Sequence, residues 1–470
     1  MTGSTGLLDR VAAALVPLLI LCVGLAIHVM GRLNHDVAYL AWGARELLNG
    51  AVIGRDIVEI NFPLAFIIYV PAAALSEIVP LSTAIRLWIG LLFVIAMVLS
   101  WRDVPAARRF AIYSVLAAYV ALFWPREFAQ REQVAMLLVF AFIVPGERRG
   151  WRAVAVGVLA GVGFAIKPHF LLVWLCVEIG RRPLRTEQLA LIAAGLVYAL
   201  SLVFIFDEFT FELLPTVASM YAASDRFHAA GTAFIPLVVA GAALLAAVVA
   251  KDGFAKALAL ASVAFGVVAV IQLKFYGYHF IPLCGYSLLA LVALLYSTKG
   301  ALRVYVVLAI LILVCYLERP VSSWWSDSER RMAAAPFFLS GLDGSKSFIA
   351  IGVHPYPAFP TAIYAEERGI TFLGKACCAS FLPAAVAGDP RAAAMARGQL
   401  LVELRRRPDV VLVDTNWRRQ TNIPSGFDGL AWFLADAEIA REWEMYRPAA
   451  SWGPYRFYRR DSHSREGKGR

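Results

Sequence analysis

Charged residues are scarce in this sequence of 470 residues: they make up 17% of it, whereas 60% of the residues are hydrophobic. Soluble globular proteins have roughly 25% charged and 45–50% apolar residues. Together with a mean hydropathy of +0.67, this excludes a soluble domain with one anchor. It predicts an α-helical polytopic membrane protein. The six cysteines have no spacing typical of a zinc site or a disulfide framework.

Several signatures of nucleotide, metal and nucleic-acid chemistry are also missing. The C-terminal third contains no GxGxxG, Walker or HExxH motif, so nothing there indicates a dinucleotide, a nucleoside triphosphate or a catalytic zinc. The net charge of +10 does not predict a nucleic-acid partner, because there is no binding motif and no long basic tract. We interpret the Arg clusters instead as topology signals of a membrane protein.

Apolar runs suited to membrane helices fill the first two thirds of the chain. A helix needs roughly 20 apolar residues to cross the hydrocarbon core, and about eleven segments are candidates. The first lacks a small-residue cleavage site, so we read it as a transmembrane helix and not as a signal peptide. The candidates are 11–30, 83–101, 110–124, 130–144, 153–166, 169–179, 188–206, 232–250, 257–272, 280–297 and 302–317.

Basic loops set the predicted orientation. Loops 102–109, 146–152, 181–185, 251–256 and 299–303 should face the cytoplasm, together with the N-terminus. This requires that the apolar segment 62–79 lies along the membrane or re-enters it instead of crossing. The charge pattern of the loops also favours a helix hairpin over 153–179. One long helix broken at Lys167 and Pro168 is the alternative.

Composition changes after residue 317, where charge, proline and glycine become more frequent. We predict a transmembrane region over 1–317, with a first extracytoplasmic loop and juxtamembrane helices at 31–82. A small soluble α/β domain over 318–470 should lie outside the cytoplasm. Its predicted strands are 347–353, 409–414 and an edge strand at 455–460, and its predicted helices are 360–369 and 391–407. We interpret His354, between strand and loop, as structural.

Polar and ionisable residues collect on the predicted outer side. Ionisable groups at membrane depth are costly and indicate function by default. They can also be snorkelling cations, or Arg–Glu pairs that only hold helices together. Several cations on one face favour a shared anionic ligand such as a phosphate. The residues are Asp36, Tyr39, Asp56, Glu59, Arg126, Arg131, Glu132, Lys167, His169, Lys274, Tyr278 and His279.

The segment HDVAYLAWGARELLNGAVIGRDIVEINFPLAFIIY (35–69) resembles the first extracytoplasmic loop of GT-C superfamily membrane glycosyltransferases. The resemblance is to the protein-mannosyltransferase and aminoarabinose-transferase type. QREQVAMLL, GVGFAIKPHFLL and KFYGYHFIPL are similar to later segments, so the resemblance covers roughly 10–320. Phe62 and a single acid at Asp36 depart from the usual Pro and acidic pair. The matching positions are Asp36, Tyr39, Ala44, Leu47, Leu48, Gly50, Pro63 and Leu64.

The resemblance implies a sugar donor linked to polyprenyl phosphate and an acceptor that is a glycolipid, a polysaccharide or a protein. Asp36 would be the general base, and in-line attack would invert the anomeric carbon. A divalent metal is possible but is not predicted, because His35 precedes a single acid where many relatives have an acidic pair. The implied phosphate-binding residues are Arg131, Lys167, His169, Lys274 and His279. Secondary candidates are His35, Tyr39, Asp56, Glu59, Arg126, Glu132 and Tyr278.

Three other functions remain open at this point. A transporter or flippase for lipid-linked sugars would also carry charges at membrane depth. A glycosyltransferase that uses a cytoplasmic nucleotide sugar would often show an Asp-x-Asp motif, which is missing. A polysaccharide ligase or polymerase would need a larger late outer loop than 207–231. We therefore expect a multi-pass enzyme of the inner cell membrane, with the transporter as its main alternative.

Overall fold

The computed structural model describes residues 6–29, 31–59, 61–179, 185–217, 233–273, 275–374, 381–418 and 422–461. In chain order, the helices up to residue 341 are α1 (Gly6–Val29), α2 (His35–Leu48), α3 (Leu64–Ile67), α4 (Val70–Leu75), α5 (Leu81–Ser100), α6 (Arg109–Leu122), α7 (Arg131–Ile143), α8 (Gly150–Ala165), α9 (Leu171–Glu178), α10 (Thr186–Phe204), α11 (Phe234–Val249), α12 (Gly253–Ile271), α13 (Ile281–Leu294) and α14 (Gly300–Gly341).

Five strands and five helices follow. They are β1 (Ser347–Ile351), α15 (Ala358–Glu366), β2 (Thr371–Phe372), α16 (Leu382–Val386), α17 (Pro390–Arg405), β3 (Val410–Asp414), α18 (Gly429–Leu434), α19 (Ala437–Trp443), β4 (Tyr446–Trp452) and β5 (Tyr455–Arg460).

The chain divides into two compact units. The helical unit takes Met1–Arg32, Thr83–Leu200 and Arg226–Ser328. The mixed unit takes Leu33–Ser82, Ser201–Asp225 and Glu329–Arg470. This division differs from the predicted boundary at residue 317, because most of the first loop belongs with the C-terminal part of the chain. Helix α14 also continues past residue 317, to Gly341.

The helical unit has the inside-out polarity of a membrane protein. Every residue of α7 and α13 is buried, including Arg131 and Glu132. In contrast, large apolar side chains such as Leu19, Leu196 and Leu308 are more than half exposed. A soluble protein rarely exposes extended apolar surface, whereas lipid requires it. The exposed apolar faces are therefore suited to contact with membrane lipid.

Each of the eleven predicted spans contains a helix. Six segments are long and apolar enough to cross a membrane: Leu8–Val29, Leu81–Ser100, Thr186–Phe204, Gly253–Ile271, Gly277–Leu294 and Gly300–Glu318. Helices α6 and α7 have 14 and 13 residues, and three further apolar helices are also shorter than 18 residues. The structure thus confirms a membrane-like helical protein without confirming eleven crossings.

The predicted hairpin over 153–179 is present as two helices, α8 and α9. The positions of Gly157 and Gly161 face Glu187 and Leu191 of α10, so contacts advance in the same direction along both helices. Helices α8 and α10 are therefore parallel, and α9 must run back between them. The ion pair of Glu178, at the end of α9, with Arg185, just before α10, fits this path (2.7 Å).

Four of the basic loops meet at one end of the helical unit. The Asp103 carboxylate accepts a hydrogen bond from Arg148 Nε (2.9 Å) and pairs with Arg152. Arg108 pairs with Asp252 at 2.8 Å. Glu187, which pairs with Arg185 at 2.9 Å, also lies 3.8 Å from Arg148. The loops thus share one side, as the topology prediction requires.

Residues 62–79 do not form a spanning helix. They fold into α3 and α4, of four and six residues, separated by Ile68 and Tyr69. Pro71 lies in the first turn of α4, where a proline needs no backbone partner. Neither helix is long enough to cross a membrane. The location of this segment along or within the membrane stays a prediction.

The mixed unit contains a five-stranded sheet in the order β2-β1-β3-β5-β4. Strands β2, β1 and β3 are parallel, and β5 and β4 add antiparallel to β3. The predicted strands at 347–353 and 409–414 correspond to β1 and β3, which are central and largely buried. The prediction of an edge strand at 455–460 is wrong, because β4 pairs with β5 on its outer side.

Helix α2 from the first loop is part of this unit. The Tyr39 ring packs 5.2 Å from Phe359, and the Trp42 ring packs 5.8 Å from Phe372. Arg45 pairs with Glu366 of α15. The aromatic residues of α2 therefore belong to the core that joins the first loop to the C-terminal residues.

Candidate functional site

A buried ion pair in the helical unit joins two of the predicted site residues. Lys167 Nζ lies 2.5 Å from Glu132 Oε1, and the side chains are 13% and 1% exposed. Glu132 is in the first turn of α7, which begins after the extended Gln130. Lys167 occupies the extended break after α8, just before Pro168. Both residues are fixed at helix ends, where backbone geometry sets their direction.

Further polar groups surround this pair. Lys167 Nζ donates a hydrogen bond to Gln272 Oε1 at 3.2 Å, and it lies 5.5 Å from the centre of the Tyr278 ring. The positive charges of Lys167 and Arg131 interact electrostatically with the His169 imidazole. The ring of His279, which is 5% exposed, packs 4.5 Å from Tyr278. We call Arg131, Glu132, Lys167, His169, Gln272, Tyr278 and His279 the cation cluster.

The cation cluster lies at the end of the helical unit opposite the basic loops. Helix α7 runs from Glu132 to the loop that contains Arg148, and α8 runs from that loop to Lys167. Helix α12 runs from Asp252, beside Arg108, to Gln272. Each of these helices has a basic loop at one end and a member of the cluster at the other. The predicted outer location of these residues is therefore consistent with their common end.

Asp36 lies in the mixed unit, at the start of α2. Asn34 caps this helix, and its side chain accepts a hydrogen bond from the Asp36 backbone nitrogen (2.8 Å). Asp36 Oδ1 is 3.5 Å from His35 Nε2, with side chains 24% and 29% exposed. The partial positive charge of a helix N-terminus favours the ionised carboxylate. Asp36 is thus held as a partly accessible carboxylate next to an imidazole.

The same imidazole packs against the carboxyl edge of the parallel strands. The His35 and His354 rings are 4.4 Å apart, and His354 follows β1. The next strand, β2, lies on one side of β1 and β3 on the other. Ligands of open α/β sheets bind where the strand order reverses in this way. Buried Asp414 ends β3 beside Gly352, where an added Cβ atom would lie 3.1 Å from the Asp414 Cβ.

His354 is oriented by the backbone. Its Nδ1 accepts a hydrogen bond from the Tyr356 backbone nitrogen at 3.1 Å, so the neutral ring carries its proton on Nε2. The Asp414 carboxylate in turn accepts a hydrogen bond from the Asn416 nitrogen (2.9 Å). Asp36, His35, His354 and Asp414 form what we call the switch-point group, two acids and two imidazoles at one edge of the mixed unit.

The other predicted residues of the mixed unit have local partners. Tyr39 is 2% exposed and belongs to the aromatic core. Asp56 accepts a hydrogen bond from the Val52 nitrogen (3.1 Å) and pairs with Arg55. Glu59 accepts one from Asn61 Nδ2 (3.1 Å). Asp56 and Glu59 therefore stabilise the loop after α2.

Two predicted residues of the helical unit are not placed in the cation cluster. Arg126 occupies the short 3-10 turn Pro125–Glu127 that precedes α7. Lys274 lies outside the described residues.

Three residues of these sites were not predicted from the sequence. Gln272 follows an apolar helix directly, and its polarity at that position was the available signal. His354 was interpreted as structural, and Asp414 had been read only as part of a strand. The order of the strands brings His354 and Asp414 to the same edge of the sheet. A single sequence does not reveal that order.

No known family model matches this chain, and no curated protein matches it either. Within the residues that the structure describes, no three His, Cys, Asp or Glu side chains are grouped to hold a metal ion.

Proposed function

We propose that this protein is a membrane glycosyltransferase that moves a sugar from polyprenyl phosphate to an acceptor hydroxyl. The observation that carries the proposal is the cation cluster, where Arg131, Lys167, His169 and His279 share one end of the helical unit. Buried ionisable groups in a membrane protein are costly and mark ligand sites. A phosphate monoester or diester is the ligand that cationic and imidazole donors suit best.

The reaction assigns separate roles to the two sites. The acceptor oxygen attacks the anomeric carbon, and the bond from that carbon to the phosphate oxygen breaks. The polyprenyl phosphate leaves with the bonding electrons, and the cations of the cluster stabilise its charge. Asp36 takes the proton of the acceptor hydroxyl, and in-line attack inverts the anomeric carbon. Glu132 keeps Lys167 oriented towards the phosphate.

The setting of Asp36 supports its role as the base. Its carboxylate is partly accessible and lies beside His35, at a helix start that favours the ionised form. An ionised Asp is a weak base near neutral pH, so positioning of the acceptor must supply much of the rate.

The proposal includes a topology. All eleven predicted segments cross the inner cell membrane, the N-terminus is cytoplasmic and the C-terminal residues are extracytoplasmic. The basic loops then face the cytoplasm, and the cation cluster faces the outer leaflet, where lipid-linked sugars are consumed. The acceptor is a glycolipid, a polysaccharide or a protein with an accessible hydroxyl.

Substitution of Asp36 tests the proposal. Purified protein is incubated with radiolabelled polyprenyl-phosphate sugars and candidate acceptors, and sugar transfer is measured. Asp36→Asn keeps the size of the side chain and removes the base, so transfer should fall by about 10²-fold or more while donor binding persists. Asp343→Asn, at an exposed position of the mixed unit, is the matched control and should retain transfer. An Asp36→Asn variant as active as the wild type would refute the assignment.

One observation favours a second function. A buried ion pair between apolar helices, with a broken segment at Lys167, is also typical of transporters. A flippase would move lipid-linked sugars between leaflets without cleaving them. If the wild type cleaves no donor but accelerates exchange of lipid-linked sugars in proteoliposomes, the transporter replaces the glycosyltransferase as the function.

A further inference from the structure

A cavity of about 260 Å³ lies within the mixed unit, away from the switch-point group. It is formed by the second half of α2, the turn that follows, the edge strand β2 and the residue after α17. The side chains that give the cavity its chemistry are Trp42, Glu46, Asn49, Asp56, Phe372 and Arg406. We call it the α2 pocket.

Several side chains of the α2 pocket already have partners within the mixed unit. The Trp42 ring packs between those of Phe359 and Phe372, 5.6 and 5.8 Å away. Arg406 Nη1 donates a hydrogen bond to the Leu373 carbonyl (3.0 Å). Asp56 is held by the Val52 nitrogen (3.1 Å). A preformed site spends less binding free energy on ordering side chains.

The charges of the pocket select against ions. Two carboxylates, Glu46 and Asp56, disfavour phosphates and other anions. Arg406 lines the same cavity and offsets one of the two carboxylate charges, which weakens the attraction of a cation. Carboxylates and an amide accept and donate hydrogen bonds to hydroxyl groups, and a guanidinium donates to them. Trp42 and Phe372, which are 4% and 6% exposed, add only a small apolar part to the wall. The matching ligand is neutral and has many hydroxyl groups, as a sugar does.

The volume of the cavity limits the size of the ligand that it can hold. Pockets for drug-sized molecules have roughly 300–1,000 Å³, so the α2 pocket is suited to a smaller group. Glu46 is also unfavourable in its charged form in the folded protein. Burial raises the pKa of its carboxyl group, although Arg45 and Arg406 act in the opposite direction. A half-buried acid whose charged form is disfavoured is often kept for binding.

We propose that the α2 pocket binds one neutral sugar residue of the acceptor. This inference rests on the proposed function and extends it to the substrate. Asp36 and Glu46 are ten positions apart on the same helix, which corresponds to about 15 Å at a rise of 1.5 Å per residue. The bound residue is therefore not the one that reacts. The acceptor is an oligosaccharide or a glycan chain, held at a distance from the hydroxyl that attacks.

Calorimetric titration of the full-length protein in detergent tests this proposal. The probes are methyl glycosides and neutral oligosaccharides of two to four units, built from glucose, galactose, mannose, arabinose, rhamnose or N-acetylglucosamine. Ala51→Leu fills the pocket, since Ala51 is one of its lining residues, and Arg406→Ala removes a donor. Each should weaken binding by about tenfold or more. Thermal unfolding confirms that the variants are folded.

Arg405→Ala is the matched control. Arg405 is the neighbouring residue, is exposed and pairs with Glu438, so its loss should leave sugar binding unchanged. Three results would overturn the proposal: no probe binds the wild type at millimolar concentration, binding persists in both pocket variants, or sugar phosphates bind better than neutral sugars.

Asp36→Asn separates this proposal from the proposed function. It should abolish transfer and bind the oligosaccharides like the wild type. If the wild type binds a neutral oligosaccharide through the pocket but transfers no sugar, the enzyme assignment fails and the pocket assignment stands. If transfer depends on Asp36 while the acceptor KM is the same in Ala51→Leu and the wild type, the pocket assignment fails alone.

Discussion

Removal of one member of the buried Glu132–Lys167 pair should destabilise the protein far more than loss of a surface pair. Lys167→Met leaves the Glu132 carboxylate, which is 1% exposed, without its 2.5 Å partner. Breaking a buried ion pair in this way costs about 3–5 kcal/mol. The pair Arg405–Glu438, with both side chains 54% exposed, is the comparison, because exposed pairs contribute about 0–1 kcal/mol.

The two single variants should lose different amounts of stability. Glu132→Gln leaves Lys167, which is 13% exposed and still bound to Gln272 at 3.2 Å. The uncompensated charge is then less buried than in Lys167→Met, and its loss of stability should be smaller. The double variant removes both charges. It should be more stable than Lys167→Met alone, because the two substitutions share one interaction.

Thermal unfolding of the purified protein in detergent measures these differences. At about 2–4 °C per kcal/mol, Lys167→Met should lower the apparent Tm by roughly 6–20 °C. Arg405→Met should change it by only a few degrees. A Lys167→Met variant as stable as Arg405→Met would refute the reasoning from burial. A double variant less stable than both single variants would refute the shared interaction.

The same cycle separates structure from function. If Lys167 only holds two helices together, the double variant should regain donor binding along with its stability. If Lys167 binds the donor phosphate, the double variant should be folded and still bind the donor poorly. Measured donor affinity in a folded double variant therefore decides between the two roles.

Two other perturbations have expected outcomes. Arg148, 0% exposed, binds Asp103, so Arg148→Met should destabilise the protein by about 3–5 kcal/mol in thermal unfolding, whereas exposed Arg149→Met should not. Burial raises the pKa of Glu46 in the folded state. The folded state therefore loses stability as the pH rises from the ordinary Glu pKa through this raised pKa. Glu46→Gln should therefore unfold at a higher temperature than the wild type at neutral pH. The gap should close below the ordinary Glu pKa.

Apolar length and loop charge predicted the helical unit well. A run of apolar residues has few stable conformations in lipid other than a helix. The Arg-rich loops do share one end. The short lengths of α6 and α7 were visible as well, because the predicted segments 110–124 and 130–144 correspond to Arg109–Leu122 and Arg131–Ile143. The continuation of α14 to Gly341 was not visible, because charged residues follow residue 317.

Long-range pairing limited the prediction of the mixed unit. Strands β1 and β3 were visible as short buried runs. The packing of Trp42 against Phe372 was not, since an aromatic residue after a membrane helix is also typical of the headgroup region. The same limit applied to the site. Glu132, Lys167 and His169 were identified from their cost at membrane depth, whereas His354 and Asp414 gain significance only from the order of the strands.

The assembly of the mixed unit has a consequence for the order of events during synthesis. Residues 33–82 pack with a segment that begins at Glu329, so about 250 residues must be made between the two parts. At 5–20 residues per second this takes roughly 10–50 s. During that interval α2 has none of the C-terminal partners that bury Tyr39 and Trp42. Tyr39 and Trp42 of the nascent chain therefore lack their C-terminal packing partners until the last third of the chain has been made. A chain truncated before residue 329 would lack these partners permanently.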